Sequence, residues 1–202
     1  MPISSKESLK NLHETVIKCK RCVELTSSRK KPVPGEGAPS AKIIIIGYQP
    51  TEQGAGSTGK PFTGDESGEF LRKIIDEVGL SLERDTYLTY LIKCSPRNGD
   101  TAKDQDKYIK NCINYFVEEI SITTPHIIIS LGLKVSNIIL ERFFSVEKKF
   151  KDINEIHMKV FENPSFKLVP FYSPHDVMVE KKISREKYIE DFSSLAKFLK
   201  MV

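Results

Sequence analysis

Four cysteines are the side chains of this chain best suited to bind a metal. Cys19 and Cys22 form a C-x2-C pair, whereas Cys94 and Cys112 lie much further along the chain. Structural zinc sites more often use two short pairs, while iron–sulfur clusters accept scattered thiolates. Taken singly, Cys94 and Cys112 are better explained as buried core thiols. A pair followed by two more cysteines, with none left over, favours one shared metal site.

A glycine-rich segment between Gly47 and Gly64 raises a second chemical hypothesis. Gly54, Gly59 and Lys60 match the GxxxxGK pattern of a phosphate-binding loop. Pro61, however, stands where that motif requires Ser or Thr to hold magnesium, and several residues separate the glycines from the preceding isoleucine run. Nucleotide binding therefore remains a distant alternative to a flexible or pocket-lining loop.

The elements that must position these residues alternate between strands and helices. Apolar or β-branched runs predict strands at 42–47, 86–94, 126–132 and 167–174, and helical periodicity predicts helices at 5–18, 66–78, about 105–122, 133–143 and from about 184. The segment 23–41 has neither period and predicts a long irregular connection. The alternation indicates an α/β fold: a doubly wound, mainly parallel four-stranded sheet with helices on both faces.

The predicted sheet also indicates where a ligand would bind. In such sheets, ligands bind beyond the carboxyl ends of the strands. The loops 47–64, 94–104, 132–134 and 173–183 follow the predicted strands and should meet at that edge.

Bulk composition is that of an ordinary globular protein. The 202 residues are 39% hydrophobic and 29% charged, with a net charge of +4. A chain of this length and composition predicts a single domain over 1–202. Its N-terminal helix and CxxC, at 1–40, should pack on a core at 41–202. No apolar run approaches the ~20 residues that span a bilayer. We expect a cytoplasmic monomer without membrane contact, and abundant Lys, Glu and Ile hint at a thermophilic source.

The motifs together resemble those of the iron–sulfur uracil-DNA glycosylases, the family-4 type of that superfamily. GKPFTG at 59–64 is similar to the family's GRPFVG, SLG at 130–132 also matches, and the Ser-Pro at 173–174 stands against the family's His-Pro. The resemblance implies the glycosylase fold and a mainly structural four-iron, four-sulfur cluster. Its ligands would be Cys19, Cys22, Cys94 and Cys112.

The base pocket implied by this resemblance departs from the family pattern. The family's GEAPG corresponds to GYQPT at 47–51, its uracil-reading Asn to Tyr90, and its His to Ser173. Only Phe62 matches the aromatic residue that would stack on a flipped base. The implied base pocket therefore consists of Tyr48, Thr51, Phe62, Tyr90 and Ser173.

The missing histidine weakens the predicted chemistry. Cleaving an N-glycosidic bond requires a positioned water and a donor aimed at the departing base, and losing such a donor commonly costs ~10²–10⁴ in rate. Gln49 could hold a water and His175 could swing into the donor position, although a histidine at a strand end is more often a surface residue.

Basic residues near the predicted ligand edge suit contacts with DNA phosphates. They are Arg97, Lys181, Lys182 and Arg185. The sequence as a whole predicts a DNA-binding iron–sulfur protein of DNA repair that recognises a damaged or flipped base, with weak or absent uracil excision. The alternative is an active base-excision glycosylase with a different lesion specificity.

Overall fold

The computed structural model describes residues 4–201, with side chains to residue 197. Its strands form one six-stranded sheet in the order β1-β3-β2-β4-β6-β5. The strands are β1 Glu36–Gly37, β2 Ile43–Gly47, β3 Thr86–Tyr90, β4 Ile127–Leu131, β5 Phe161–Glu162 and β6 Lys167–Phe171. The four predicted strands form the parallel centre. The predicted four-stranded sheet is nevertheless incomplete, because β1 and β5 add short antiparallel edges.

Helices cover the sheet as the alternating pattern predicts. They are α1 Ser5–Ile17, α2 Val23–Ser28, α3 Ala55–Thr58, α4 Glu66–Glu77, α5 Ala102–Thr123, α6 Leu133–Phe144, α7 Pro174–Met178 and α8 Arg185–Met201, with a 3-10 turn at Ile153–Glu155. One continuous apolar core contains residues from α1 through α8. Among residues 4–201, none of these helices has both the length and the apolar composition that crossing a bilayer demands.

Several element boundaries differ from the prediction for local reasons. The segment 23–41, predicted to be irregular, begins with α2. Strand β3 ends at Tyr90 rather than at residue 94, so Cys94 lies in the turn beyond it. Helix α5 begins earlier than predicted because Thr101 and Asp104 form a capping box, each side chain bonding the other residue's backbone.

The strand register places the segments that follow the four parallel strands at one edge of the sheet. Gly47 at the end of β2 pairs with Tyr90 at the end of β3, and Leu131 at the end of β4 pairs with Phe171 at the end of β6. The strand order reverses direction around β2, because β3 lies on one side of it and β4 on the other. The segments after β2 and β4 therefore flank the crevice where such sheets bind ligands.

Candidate functional site

A pocket of about 490 Å³ opens at this carboxyl edge. Residues that follow β2, β4 and β6 line it, together with the segment that leads into α4. The sequence-predicted residues among its walls are Tyr48, Gln49, Thr51, Phe62, Tyr90, Ser173, His175 and Lys182. The fold thus brings the predicted pocket residues together, whereas Arg97, Lys181 and Arg185 lie outside its walls.

Tyr90 occupies the space beside Phe62. The two ring centroids lie 4.5 Å apart with an interplanar angle of 36°, and the Phe62 backbone N–H donates to Tyr90 Oη over 3.1 Å. Both side chains are only 6% exposed, and burial raises the pKa of Tyr90 well above its usual value. The aromatic ring expected to stack on a base is already covered on one side by a phenol.

The close packing extends to the end of β2. A Cβ atom at Gly47 would lie 2.8 Å from Tyr90 Cε1 and 3.0 Å from Phe62 Cζ, so only glycine fits here. Phe62 itself has a φ of 52°, in the left-handed region that a bulky residue rarely adopts. Its surroundings therefore hold it in a strained conformation.

The glycine-rich loop uses its backbone donors internally. The Gly54 N–H donates to Thr51 Oγ1 at 3.1 Å, and the Thr51 hydroxyl donates to Asp65 Oδ2 at 2.5 Å. The other N–H donors with acceptors inside the segment are those of Gly56, Ser57, Thr58, Gly59 and Lys60. A phosphate cradle needs these donors free and convergent. The nucleotide-binding alternative therefore loses its support.

Ser173 begins helix α7 and is engaged in a capping box. Its hydroxyl donates to Asp176 Oδ2 over 2.6 Å, while the Asp176 backbone N–H donates to Ser173 Oγ over 3.1 Å. Lys182 Nζ lies 2.9 Å from Asp176 Oδ1. Burial acts to raise the pKa of Asp176, but the hydrogen bonds from Ser173 and Lys182 outweigh it and lower the pKa. The Ser173 hydroxyl thus already donates its proton to the Asp176 carboxylate rather than to a ligand.

His175 lies at the pocket rim, with its side chain 55% exposed and Nδ1 3.4 Å from Glu180 Oε1. In this orientation the imidazole faces an acidic surface residue.

Gln49 presents an unused acceptor. Among the described residues, its Oε1 is one of the buried side-chain oxygens that lack a hydrogen-bond partner. Because an unmatched buried polar atom costs about 1–3 kcal/mol, this oxygen suits a donor supplied by a water or a ligand in the pocket. Gln49 lies directly after β2, next to the crevice.

Tyr48 is covered by a lysine that sequence reasoning missed. Lys134 Nζ lies 4.3 Å from the centroid of the Tyr48 ring and donates to Gln105 Oε1, which also accepts from Tyr48 Oη at 3.3 Å. Burial lowers the pKa of Lys134; burial, with a smaller contribution from Asp106, raises that of Tyr48 to about 12. The signal for Lys134 was its place in the predicted loop 132–134 at the ligand edge.

The four predicted phosphate contacts are mostly engaged within the protein. Lys182 pairs with both Asp176 and Glu180, and Arg185 with Glu66 at 3.3 Å. Lys181 Nζ donates to the Met178 carbonyl. Arg97 lies exposed in the turn before α5, where its backbone N–H donates to Asp100. Two of the four cations are therefore already matched by carboxylates.

The fold gathers the cysteines into one neighbourhood as free thiols. Cys22, Cys94 and Cys112 are buried and Cys19 is half-buried. Cys19 and Cys22 interact electrostatically with each other and with Cys94, and Cys112 interacts with Cys22 and Cys94. Arg29 Nη1 donates to Cys94 Sγ at 3.0 Å, and Asn111 Nδ2 to Cys22 Sγ at 3.2 Å. Donors directed at sulfur are typical of thiolate centres.

The thiols nevertheless do not form a closed ligand shell. Over residues 4–201, no three or more His, Cys, Asp or Glu side chains are arranged so that they could hold a metal ion. Burial raises the pKa of Cys22, of Cys94 and, to about 12, of Cys112, and at Cys94 the Arg29 guanidinium partly opposes that shift. The donor set therefore fits a thiolate-bound group in its chemistry, while its ligand geometry is not formed here.

A buried ion pair joins two cysteine-bearing segments. Lys93 precedes Cys94, and its Nζ lies 2.7 and 2.8 Å from the two Glu119 carboxylate oxygens. Glu119 lies on α5, which also carries Cys112, and neither side chain of the pair is more than 2% exposed. Thr89 and Tyr87 complete the hydrogen bonding of the carboxylate. No local sequence pattern marks this pair, and sequence reasoning missed it.

Comparison with known proteins assigns the chain to a family. A family model described as the uracil DNA glycosylase superfamily matches residues 34–196. The type-4 uracil-DNA glycosylase of Sulfurisphaera tokodaii is 31% identical over 194 residues, covering 94% of this chain and 84% of that enzyme. Those of Archaeoglobus fulgidus and Saccharolobus solfataricus are 28% and 35% identical, covering 94% and 79% of this chain and 92% and 75% of the relatives. The chain belongs to the uracil-DNA glycosylase superfamily, as its family-4-like motifs and α/β fold predict.

Proposed function

We propose that this protein acts in DNA repair by binding DNA and recognising a flipped or damaged base, with weak or absent uracil excision. Membership of the superfamily and the names of the type-4 relatives support a glycosylase-like repair role. The observation that carries the finer statement is the packing of Tyr90 against Phe62. A phenol ring in this place fills the volume that a pyrimidine stacked on Phe62 would share.

The polar groups of the pocket support the same conclusion. Departure of uracil needs a donor for the developing negative charge on the base. The Ser173 hydroxyl already donates to Asp176, and His175 faces Glu180. Neither group is directed at a base in this arrangement, which removes the donor that the resemblance assigns to the family's histidine.

An active glycosylase with altered lesion specificity is the second candidate, and Gln49 favours it. Its unpartnered Oε1 is an acceptor that could hold a water or accept from an N–H on a base edge. The Tyr48 ring, with Lys134 above it, offers an aromatic face on which a nucleobase could stack. Together these groups suit a base that is bound beside Tyr48 rather than on Phe62.

We also propose that Cys19, Cys22, Cys94 and Cys112 hold a four-iron, four-sulfur cluster. When bound, the cluster would supply the positive charge that stabilises four thiolates and would cross-link the N-terminal segment to β3 and α5. Arg29 and Asn111 would donate to ligand sulfurs, which is how proteins orient and tune such centres. Its role in this proposal is structural.

The remaining expectations concern organisation. We propose a single-domain monomer that works in the cytoplasm. The continuous core from α1 to α8 supports the single domain.

A panel of oligonucleotides tests the proposed function. Duplexes and single strands that carry uracil, hypoxanthine, other damaged bases or a normal base are incubated with the purified protein, and affinity and alkali-labile abasic sites are both measured. We expect binding, with uracil released far more slowly than by a type-4 enzyme assayed alongside. Release of another base that Gln49→Ala abolishes would establish the second candidate. Efficient uracil release, or no binding to any DNA, would overturn the proposal.

A further inference from the structure

A second concavity of about 360 Å³ lies between α5 and α6 and meets the base pocket at Lys134, which lines both. We call it the α5–α6 groove. Its charged walls are Lys110, Lys134, Arg142, Lys149, Asp106 and Glu141. The two cavities are therefore neighbours that share Lys134 as a wall residue.

The charge of the α5–α6 groove is positive after its internal pairing is considered. Lys149 lies 3.5 Å from Glu141, so these two charges largely cancel. Asp106 interacts electrostatically with Lys134. Lys110 and Arg142 are exposed, and within the described part of the chain neither has a carboxylate at ion-pair distance. Two cations thus remain available to an anion.

The geometry suits a single nucleic-acid strand. Lys134, Ile138 and Arg142 recur at four-residue intervals on α6, and eight residues at 1.5 Å per residue span about 12 Å. Proteins that bind single strands combine a positively charged groove that follows the backbone with aromatic side chains on which bases stack. The α5–α6 groove and the Tyr48 ring, whose centroid lies 4.3 Å from Lys134 Nζ, provide this combination.

We propose that the α5–α6 groove binds the phosphates of single-stranded DNA next to the base held in the pocket. The inference rests on the proposed function for the DNA itself, and adds the path that the strand takes. Carboxylates already match Lys182, which lines the base pocket, and Arg185. The groove supplies positive charge that these two residues do not.

The test uses the double variant Lys110→Gln/Arg142→Gln, which leaves every pocket residue unchanged. Its matched control, Lys10→Gln/Arg84→Gln, removes one exposed lysine of α1 and one exposed arginine of the loop before β3, neither of which lines the groove. Affinities for a single strand of about 12 nucleotides, for a trinucleotide and for a duplex are measured against salt concentration. Thermal unfolding checks that each variant is folded.

We expect the groove variant to bind the long strand about tenfold more weakly and to reduce its logarithmic salt slope by about 1.4, which corresponds to two phosphate contacts. The trinucleotide, which has fewer phosphates to place in the groove, should lose less affinity than the long strand, and the control variant should match the wild type. An unchanged slope, an equal loss in the control, or a loss confined to the duplex would overturn the groove assignment while the proposed function stands. If the wild-type protein binds no DNA at all, both fail.

Discussion

The cysteine site and the base pocket depend on the same strand but differ in how far they match the family pattern. Tyr90 ends β3 in the pocket, and Cys94 lies just beyond it in the cysteine site. At the cysteine site all four thiols match, whereas in the pocket Tyr48, Tyr90 and Ser173 depart from the pattern. A scaffold and its cysteine pattern can thus persist beside a pocket with different chemistry, and function must be argued from the pocket.

The Lys93–Glu119 pair and Gln49 also differ in how their polar atoms are satisfied. Under the cysteine site, Lys93 and Glu119 form a fully buried pair with further hydrogen bonds. In the pocket, Gln49 retains a buried oxygen without a partner among the described residues. The first arrangement is typical of a structural region, and the second of a region that is completed by a ligand.

The cysteine site should show the largest effect. Cys94→Ser removes a thiolate ligand, so we expect iron and sulfide to fall to near zero, broad visible absorption to disappear and the Tm to drop by about 10 °C or more. Elemental analysis, absorption spectroscopy and thermal unfolding measure these changes. Thr26→Ser, an equally small change on nearby α2, should keep iron and colour. A colourless wild-type protein with stoichiometric zinc would contradict the cluster.

The buried ion pair should follow in size. Lys93→Met leaves the Glu119 carboxylate buried without its cation, which should cost about 3–5 kcal/mol of unfolding free energy. Adding Glu119→Leu should recover most of that loss, as chemical denaturation would show. Lys107→Met removes an exposed lysine of α5, the helix that carries Glu119. Lys107 pairs with Glu24 on α2, and its loss should change the unfolding free energy little. Equal stability of the Lys93→Met protein and the wild type would remove this contrast between the two regions.

Opening the pocket tests its divergence directly. Tyr90→Asn removes the phenol beside Phe62 and adds an amide that can match a uracil edge. We expect uracil release to rise about tenfold or more, at a cost of about 3 kcal/mol in stability from the lost aromatic packing. Tyr90→Phe keeps the ring and should show no gain. A folded Tyr90→Asn protein with neither tighter uracil binding nor faster release would show that Tyr90 does not determine specificity.

The smallest effect concerns the capping box at the pocket wall. Asp176→Asn removes the carboxylate that Ser173 and Lys182 contact and should cost about 1 kcal/mol near neutral pH. Because the pKa of Asp176 is lowered in the folded state from its ordinary 3.8, the advantage of the wild type is present above that value and is lost as pH falls through the lowered pKa.

Unfolding free energies of the wild type and Asp176→Asn, measured from neutral pH downward, would show the two curves converge. Asp76→Asn, at an exposed position of α4, serves as the control and should show no such convergence. A constant difference down to the acid limit would mean that the carboxylate acts through its shape rather than its charge.

Much of the fold was predictable because its central strands have a strong local signal. The run of isoleucines in β2 and the similar run in β4 are buried on both faces, a pattern that few other structures produce. The two-residue strands β1 and β5 could not be predicted in this way, since pairing with β3 and β6 creates them. Helix α7 is only five residues long, and its local signs are limited to the Ser173 capping box and Pro174 in its first turn.

The residues that form the site were more predictable than the hydrogen bonds between them. Sequence motifs identified the pocket residues, but not that Ser173 donates to Asp176 or that Tyr90 accepts from the Phe62 backbone. The Ser173–Asp176 bond is local, and its spacing of three residues is that of a capping box. The Tyr90–Phe62 bond depends on tertiary packing, which no spacing along the chain specifies. Lys134 and Gln105 were missed for the same reason, because their contact with Tyr48 spans three separate segments.

Arg72 has a consequence for how the pocket meets a ligand. Its Nε donates to the carbonyls of Pro61 and Phe62 at 3.0 and 3.1 Å, and its guanidinium also pairs with Glu36. The Phe62 wall is thereby anchored from behind, so the protein need not spend ordering entropy on it when DNA arrives. A rigid wall selects ligands by size. Bases too large for the remaining space do not bind, and bases that fit contact a surface that does not have to rearrange.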